Sequence, residues 1–167
     1  MLPTLSQNQW PAELKQFVEA NAFEPASPPR PADKEQVASI RKIGESVGGG
    51  RRGDQLRSAL LLAIGDLHAS HELSQDDPSA MGSLLHGVMH RREGDFGNSL
   101  YWFARSRSID LSEAGEGYSP ERLTEDYQRA FEARGGQLKP RAGADLDAIS
   151  ETSWREWQAI VDAILGS

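Results

Sequence analysis

All four histidines of the 167-residue chain, His68, His71, His86 and His90, fall between positions 68 and 90. Histidine is the commonest metal ligand and the side chain that titrates near neutrality, so such clustering marks a candidate site. At about 100° per residue, His86, His90 and Glu93 share one face of a helix, opposite Met81, Leu84, Leu85, Val88 and Met89. His-x-x-x-His on a helix chelates one divalent ion, and a carboxylate one turn further on can be a third ligand. Gly82 and Ser83 lie on the histidine side and add little bulk. On the preceding helical stretch, His71 and Gln75 fall on or beside the stripe of Leu60, Ile64 and Leu67. If the two helices are antiparallel neighbours, His71 meets His86 or His90 across the hairpin.

Downstream, Asn98, Tyr101, Trp102 and Arg105 are spaced i, i+3, i+4, i+7. That face is aromatic in body and polar at its tips, and it suits a planar or anionic small molecule. Two plainer accounts compete with these readings. A His/Glu face opposite an apolar stripe is commonly solvated, and an inward histidine is commonly hydrogen-bonded within the core.

Other chemistries find less support. Gly48-Gly49-Gly50-Arg51-Arg52-Gly53 lacks the Lys-Ser/Thr ending and the preceding strand of a phosphate-cradling loop, and reads as a linker. The zinc-protease His-Glu-x-x-His signature and the Glu-x-x-His pairs of di-iron bundles are absent. No serine or threonine nucleophile arrangement can be read from spacing.

Composition sets the frame. With 38% apolar and 26% charged residues, the chain is of globular type and long enough for one domain with a sizeable core. A net charge of −7 argues against general nucleic-acid or anionic-membrane binding, both of which need a basic surface. The absence of cysteine excludes disulfides and thiol catalysis. The longest apolar run, Ala59 to Ile64, is far below a membrane span, and no signal peptide is legible in Met1 to Trp10. The expected location is cytoplasmic.

Helical periodicity must supply the scaffold. Pro11 opens a short helix with Leu14, Phe17 and Val18 on one face. Pro25, Pro28, Pro29 and Pro31 form a stiff extended segment. Asp33 caps a second helix with Val37, Ile40 and Val47 inward, ended by the glycines from Gly48. Asp54 caps a long helix, Gln55 to about Gln75, in which Gly65 is tolerated or marks a break. Asp77-Pro78 opens the next helix, to about Glu93; Gly94 stops it and Asp95 caps a third, with Phe96, Leu100 and Phe103 on one face. Ser119-Pro120 starts a helix burying Leu123, Tyr127, Ala130 and Phe131. After a second Gly/Pro loop reaching about Asp147, a capping box of Ser153 with Glu156 opens the last helix, which buries Trp154, Trp157, Val161 and Ile164. Gly-Asp recurs at 65–66 and 94–95, a hint of a tetratricopeptide-like repeat.

The run His71-Glu72, Gln75, then His86-x-x-x-His90-Arg91-x-Glu93-Gly94-Asp95-x-x-Asn98-x-x-Tyr101-Trp102-Phe103 resembles an uncharacterised family of small bacterial and fungal proteins. Ser99 stands where that family's pattern has alanine, and the resemblance covers roughly residues 54–107. It implies no activity. His86-x-x-x-His90-Arg91 is also similar to the second metal-binding element of DinB-like bundles, where an earlier helix adds a histidine, a part that would fall to His71. The Arg-Gly-Gln continuation of that element is replaced by Arg91-Arg92-Glu93.

The expectation is an all-α single compact bundle built on short αα-hairpins. Residues 1–32 form an N-terminal helix and Pro-rich linker, and residues 33–167 the helical domain. The expected site, for a small molecule or a divalent, zinc-like metal, comprises His71, His86, His90, Arg91, Glu93, Asn98, Tyr101 and Trp102. His86, His90, Glu93 and His71 are the candidate metal ligands. The alternative is a non-enzymatic helical interaction module in which the same residues lock two hairpins together.

Overall fold

A computed structural model describes residues 10–21, 29–136 and 144–166. They form an all-α bundle: α1 (Ala12–Ala20), α2 (Lys34–Ser46), α3 (Gly50–Ile64), α4 (Leu67–Ser74), α5 (Ala80–Glu93), α6 (Phe96–Arg105), α7 (Pro120–Ala133) and α8 (Ala144–Gly166). Among the described residues no helix is long and apolar enough to cross a membrane. Pro25 and Pro28 lie outside the described residues, as does most of the loop before α8.

The core is organised around α3 and α5, the two helices buried on nearly every side. In α3 every residue from Ser58 to Ile64 is buried, as expected of a helix whose turns are apolar all round. Helix α8 lies against α3, with the Trp157 indole donating to the Ala59 carbonyl at 2.7 Å. Trp10, Leu14 and Phe17 join this same core, and the Trp10 indole donates to Asp162 on α8. The N-terminal helix, set apart on sequence, is therefore packed into the helical domain. Helices α2 and α3 approach closely at two glycines, since a Cβ on Gly53 would stand 2.6 Å from the Gly44 carbonyl oxygen.

Two hairpins built alike hold the histidines. The long helix expected from Gln55 to Gln75 is broken at Gly65, whose φ of +90° stops α3; Asp66 then caps α4 by accepting from the Ala69 amide. The same joint recurs 29 positions later, where Gly94 (φ +86°) stops α5 and Asp95 accepts from the Asn98 amide. Only glycine adopts that left-handed turn without strain. Equivalent serines lock each hairpin. Ser58 pairs with Ser70 at 2.8 Å, and at the corresponding positions Ser99 donates to the Gly87 carbonyl at 2.8 Å.

Several expected boundaries move. Helix α3 starts at Gly50, so Asp54 is interior, where it pairs with Arg57 rather than capping. Ser79 caps α5 in place of Asp77, whose carboxylate is engaged by the Gln55 amide and the Ser79 backbone N–H. Helix α8 runs back to Ala144, so Ser153 and Glu156 are mid-helix and form no capping box. Their polar groups are held by tertiary partners instead: the Tyr127 hydroxyl for Ser153, Arg91 and Tyr118 for Glu156. Val37 and Leu100, expected inward, are 51% and 38% exposed. Helix α2 packs through Ile40, Ile43 and Gly44, and α6 through Ser99 and Phe103, leaving the neighbouring positions outside.

Candidate metal centre

Helix α5 presents no solvated histidine face, because α4 and α6 flank it on that side. His86 is consequently only 6% exposed. His71 comes from α4, His86 and His90 from successive turns of α5, and Asn98 and Trp102 from α6. The Gly94-Asp95 joint folds α6 back along α5, and Gly87 lets it close: a Cβ there would lie 2.7 Å from the Phe103 ring.

One ring nitrogen from each of His71, His86 and His90 can be chosen so that all three lie within 4.8 Å of one another. The rings of His71 and His86 meet edge to face at 4.7 Å between centroids, and His71 stands 5.9 Å from His90. His86 and His90 stack at 4.7 Å, and Trp102 stacks on His86 at 4.3 Å with an interplanar angle of 13°. A tetrahedral ion with bonds of about 2.0–2.1 Å holds its nitrogens roughly 3.3 Å apart. The three imidazoles lie close enough together that the cluster could hold a metal ion.

Two polar groups lie beside His90. The Asn98 amide nitrogen lies 3.0 Å from Nε2, and a Glu93 carboxylate oxygen lies 3.2 Å from Nδ1. Metal-binding histidines commonly have the second ring nitrogen fixed by such a group. The Nδ1 atoms of His86 and His90 are both buried without a hydrogen bond. The Glu93 contact lacks hydrogen-bond geometry although it is close. A buried nitrogen left without a partner costs about 1–3 kcal/mol, a cost that a bound ligand removes.

Burial, followed by repulsion from His90 and then His71, lowers the His86 pKa from 6.5 to about 4. His86 is thus neutral at pH 7, the form that binds metal. Tyr101 is 57% exposed and meets Trp102 edge to face at 5.3 Å. Arg105 lies over both rings, 5.9 Å from the centroid of Tyr101 and 5.6 Å from that of Trp102.

The structure brings His71, His86 and His90 together, with Asn98 and Glu93 against His90 and Trp102 against His86. Glu93, expected as a ligand, is not in the group at metal-binding spacing, and Tyr101 is exposed beside Trp102. Arg91 lies elsewhere. It is 1% exposed, ion-paired with Glu156 of α8, and flanked by the rings of Phe103 and Tyr127 at 5.3 and 5.1 Å. One helical position after His90, its side chain leaves α5 toward α7 and α8, where it serves the core. His68 is exposed beside Glu72, and Gln75 is exposed as well. The buried group of Arg91, Glu156 and Tyr118 escaped the sequence reading. Its one sequence signal is a carboxylate between Trp154 and Trp157, inside an apolar stripe.

No family model, curated relative or solved structure matches the chain. Clefts elsewhere on the molecule, including one of about 440 Å³ between α1 and α2, are lined by other residues.

Proposed function

We propose that the protein binds a divalent metal ion of the zinc type through His71, His86 and His90, leaving at least one coordination position for water or a small molecule. The observation that carries this reading is the convergence of three imidazole nitrogens from two helices within 4.8 Å. The neutral state of His86 and its buried, unpartnered Nδ1 support it. Asn98, on Nε2, is the positioning residue for His90, leaving the unpartnered Nδ1 as its ligand atom. Three nitrogen ligands with an open position are the pattern of zinc sites that activate water or polarise a carbonyl.

Elemental analysis of purified protein, followed by zinc and cobalt titration of the metal-free form, tests the proposal. About one equivalent per chain is expected, with affinity that weakens as pH falls through the histidine range. Protein that takes up neither metal, with unchanged melting behaviour, refutes it.

The matching joints at Gly65-Asp66 and Gly94-Asp95 favour a second reading. Here the stacked rings of α4, α5 and α6 lock two hairpins into a non-enzymatic interaction module. On that reading, alanine at His71, His86 or His90 lowers stability and no metal binds.

A further inference from the structure

Glu93 is oddly placed for an ordinary surface carboxylate. It closes α5, where the negative end of the helix dipole disfavours an anion. Arg91 and Arg92, the residues just before it, are buried and turned to Glu156 and to the Leu62 carbonyl. Among the described residues no arginine or lysine pairs with Glu93. Its close partner is His90, with a carboxylate oxygen 3.2 Å from Nδ1. That contact is not a hydrogen bond, since Nδ1 is buried without one.

The same distance fits two ligands of one ion, because ligand atoms on a tetrahedral zinc-type ion stand roughly 3.3 Å apart. Nδ1 is the atom that His90 has left for metal, Nε2 being held by Asn98. With the ring hydrogen on Nε2, the Asn98 amide turns its oxygen to it and the Nδ1 lone pair is free. A carboxylate beside that lone pair is repelled by it, and a cation bound to both reverses the sign. Three neutral imidazoles also leave the charge of a divalent ion uncompensated. The Glu93 side chain is 44% exposed and lies against His90 alone, outside the spacing that the three imidazoles share. We infer that on metal loading Glu93 turns from His90 onto the ion and fills, reversibly, the position that the histidines leave open. The resting site is then capped by the chain's own carboxylate, and an outside ligand must displace it. This rests on the metal reading above.

The test uses the full chain loaded with cobalt, whose visible absorption reports ligands at the metal, and azide as the outside ligand. Glu93→Gln should change the cobalt spectrum, as water replaces the carboxylate, and weaken cobalt binding by about tenfold. Azide should bind that variant at least about tenfold more tightly than the parent, because no carboxylate has to be displaced. Glu72→Gln, which removes an equal charge beside the exposed His68, should match the parent in both measurements. A cobalt spectrum or an azide affinity unchanged by Glu93→Gln, or changed equally by Glu72→Gln, overturns the inference and leaves the three-histidine site standing. A chain that binds no cobalt overturns both.

Discussion

The indole of Trp102 lies flat against the imidazole of His86, with 4.3 Å between ring centroids, although the two residues belong to different helices. The contact ties the most buried of the three histidines to a half-buried aromatic wall. Trp102→Ala should cost about 2–3 kcal/mol in chemical denaturation, less than a fully buried tryptophan. Trp102→Phe should keep most of the stability and the stack. An alanine variant as stable as the parent would show that the indole adds nothing to the hairpin.

His71 and His90 should separate metal binding from folding. Each alanine variant is expected to stay within about 1–2 kcal/mol of the parent and to lose at least about a hundredfold in zinc affinity. Asn98→Ala, which frees the His90 ring, should lose roughly tenfold in affinity. Calorimetric zinc titration of the three purified variants checks the order. Unchanged zinc affinity in His71→Ala would remove that residue from the ligand set.

Metal-free protein should lose stability as pH falls from about 6.5 to about 4. His86 is held at about 4 in the fold, mainly by burial, against 6.5 when free. In that window the unfolded chain binds a proton that the folded chain rejects, so the contribution is complete above 6.5 and is lost on acidification. Its ceiling is on the order of 3 kcal/mol. Denaturation midpoints measured from pH 7 to 4 should fall more steeply for the parent than for His86→Phe. Identical slopes would place the effect elsewhere.

The Arg91–Glu156 pair should behave as a structural unit. Both members are almost wholly buried, and Glu156 also accepts from the Tyr118 hydroxyl. Glu156→Ala should destabilise by about 3–5 kcal/mol, because it leaves a buried cation without its counter-charge. Replacing the pair together, as Arg91→Met with Glu156→Leu, should recover much of that loss. Thermal melts of the single and double variants provide the comparison, and a double variant no better than the single would refute the coupling.

Helical spacing alone was enough to bring His86 and His90 onto one face and to point His71 toward them. Local punctuation placed the Asp33 and Ser119 caps and the Gly94-Asp95 joint for the same reason: short-range backbone hydrogen bonds depend on neighbouring residues. What failed depended on distant partners. Ser153 and Glu156 carry the local pattern of a helix start, yet Tyr127 and Arg91 hold them in the middle of α8. Arg91 adjoins a site histidine in sequence but answers a carboxylate 65 positions away. Periodicity also left open a solvated side on α5, whereas α4 and α6 cover it. A pattern of residue types records how polar a face is, not which helix will cover it.

Gly87 acts as a shim. It adjoins His86 in sequence and lies less than one turn before His90, and its missing methyl group is what lets the Phe103 ring seat against α5. Helix α6 carries both that ring and the indole stacked on His86, so the residue at position 87 sets how closely α6 packs on the histidine helix. Alanine there would push α6 outward, and with it Asn98 and Trp102, the groups it places against His90 and His86. The spacing between the two helices is thus set at a position that is itself none of the candidate ligands.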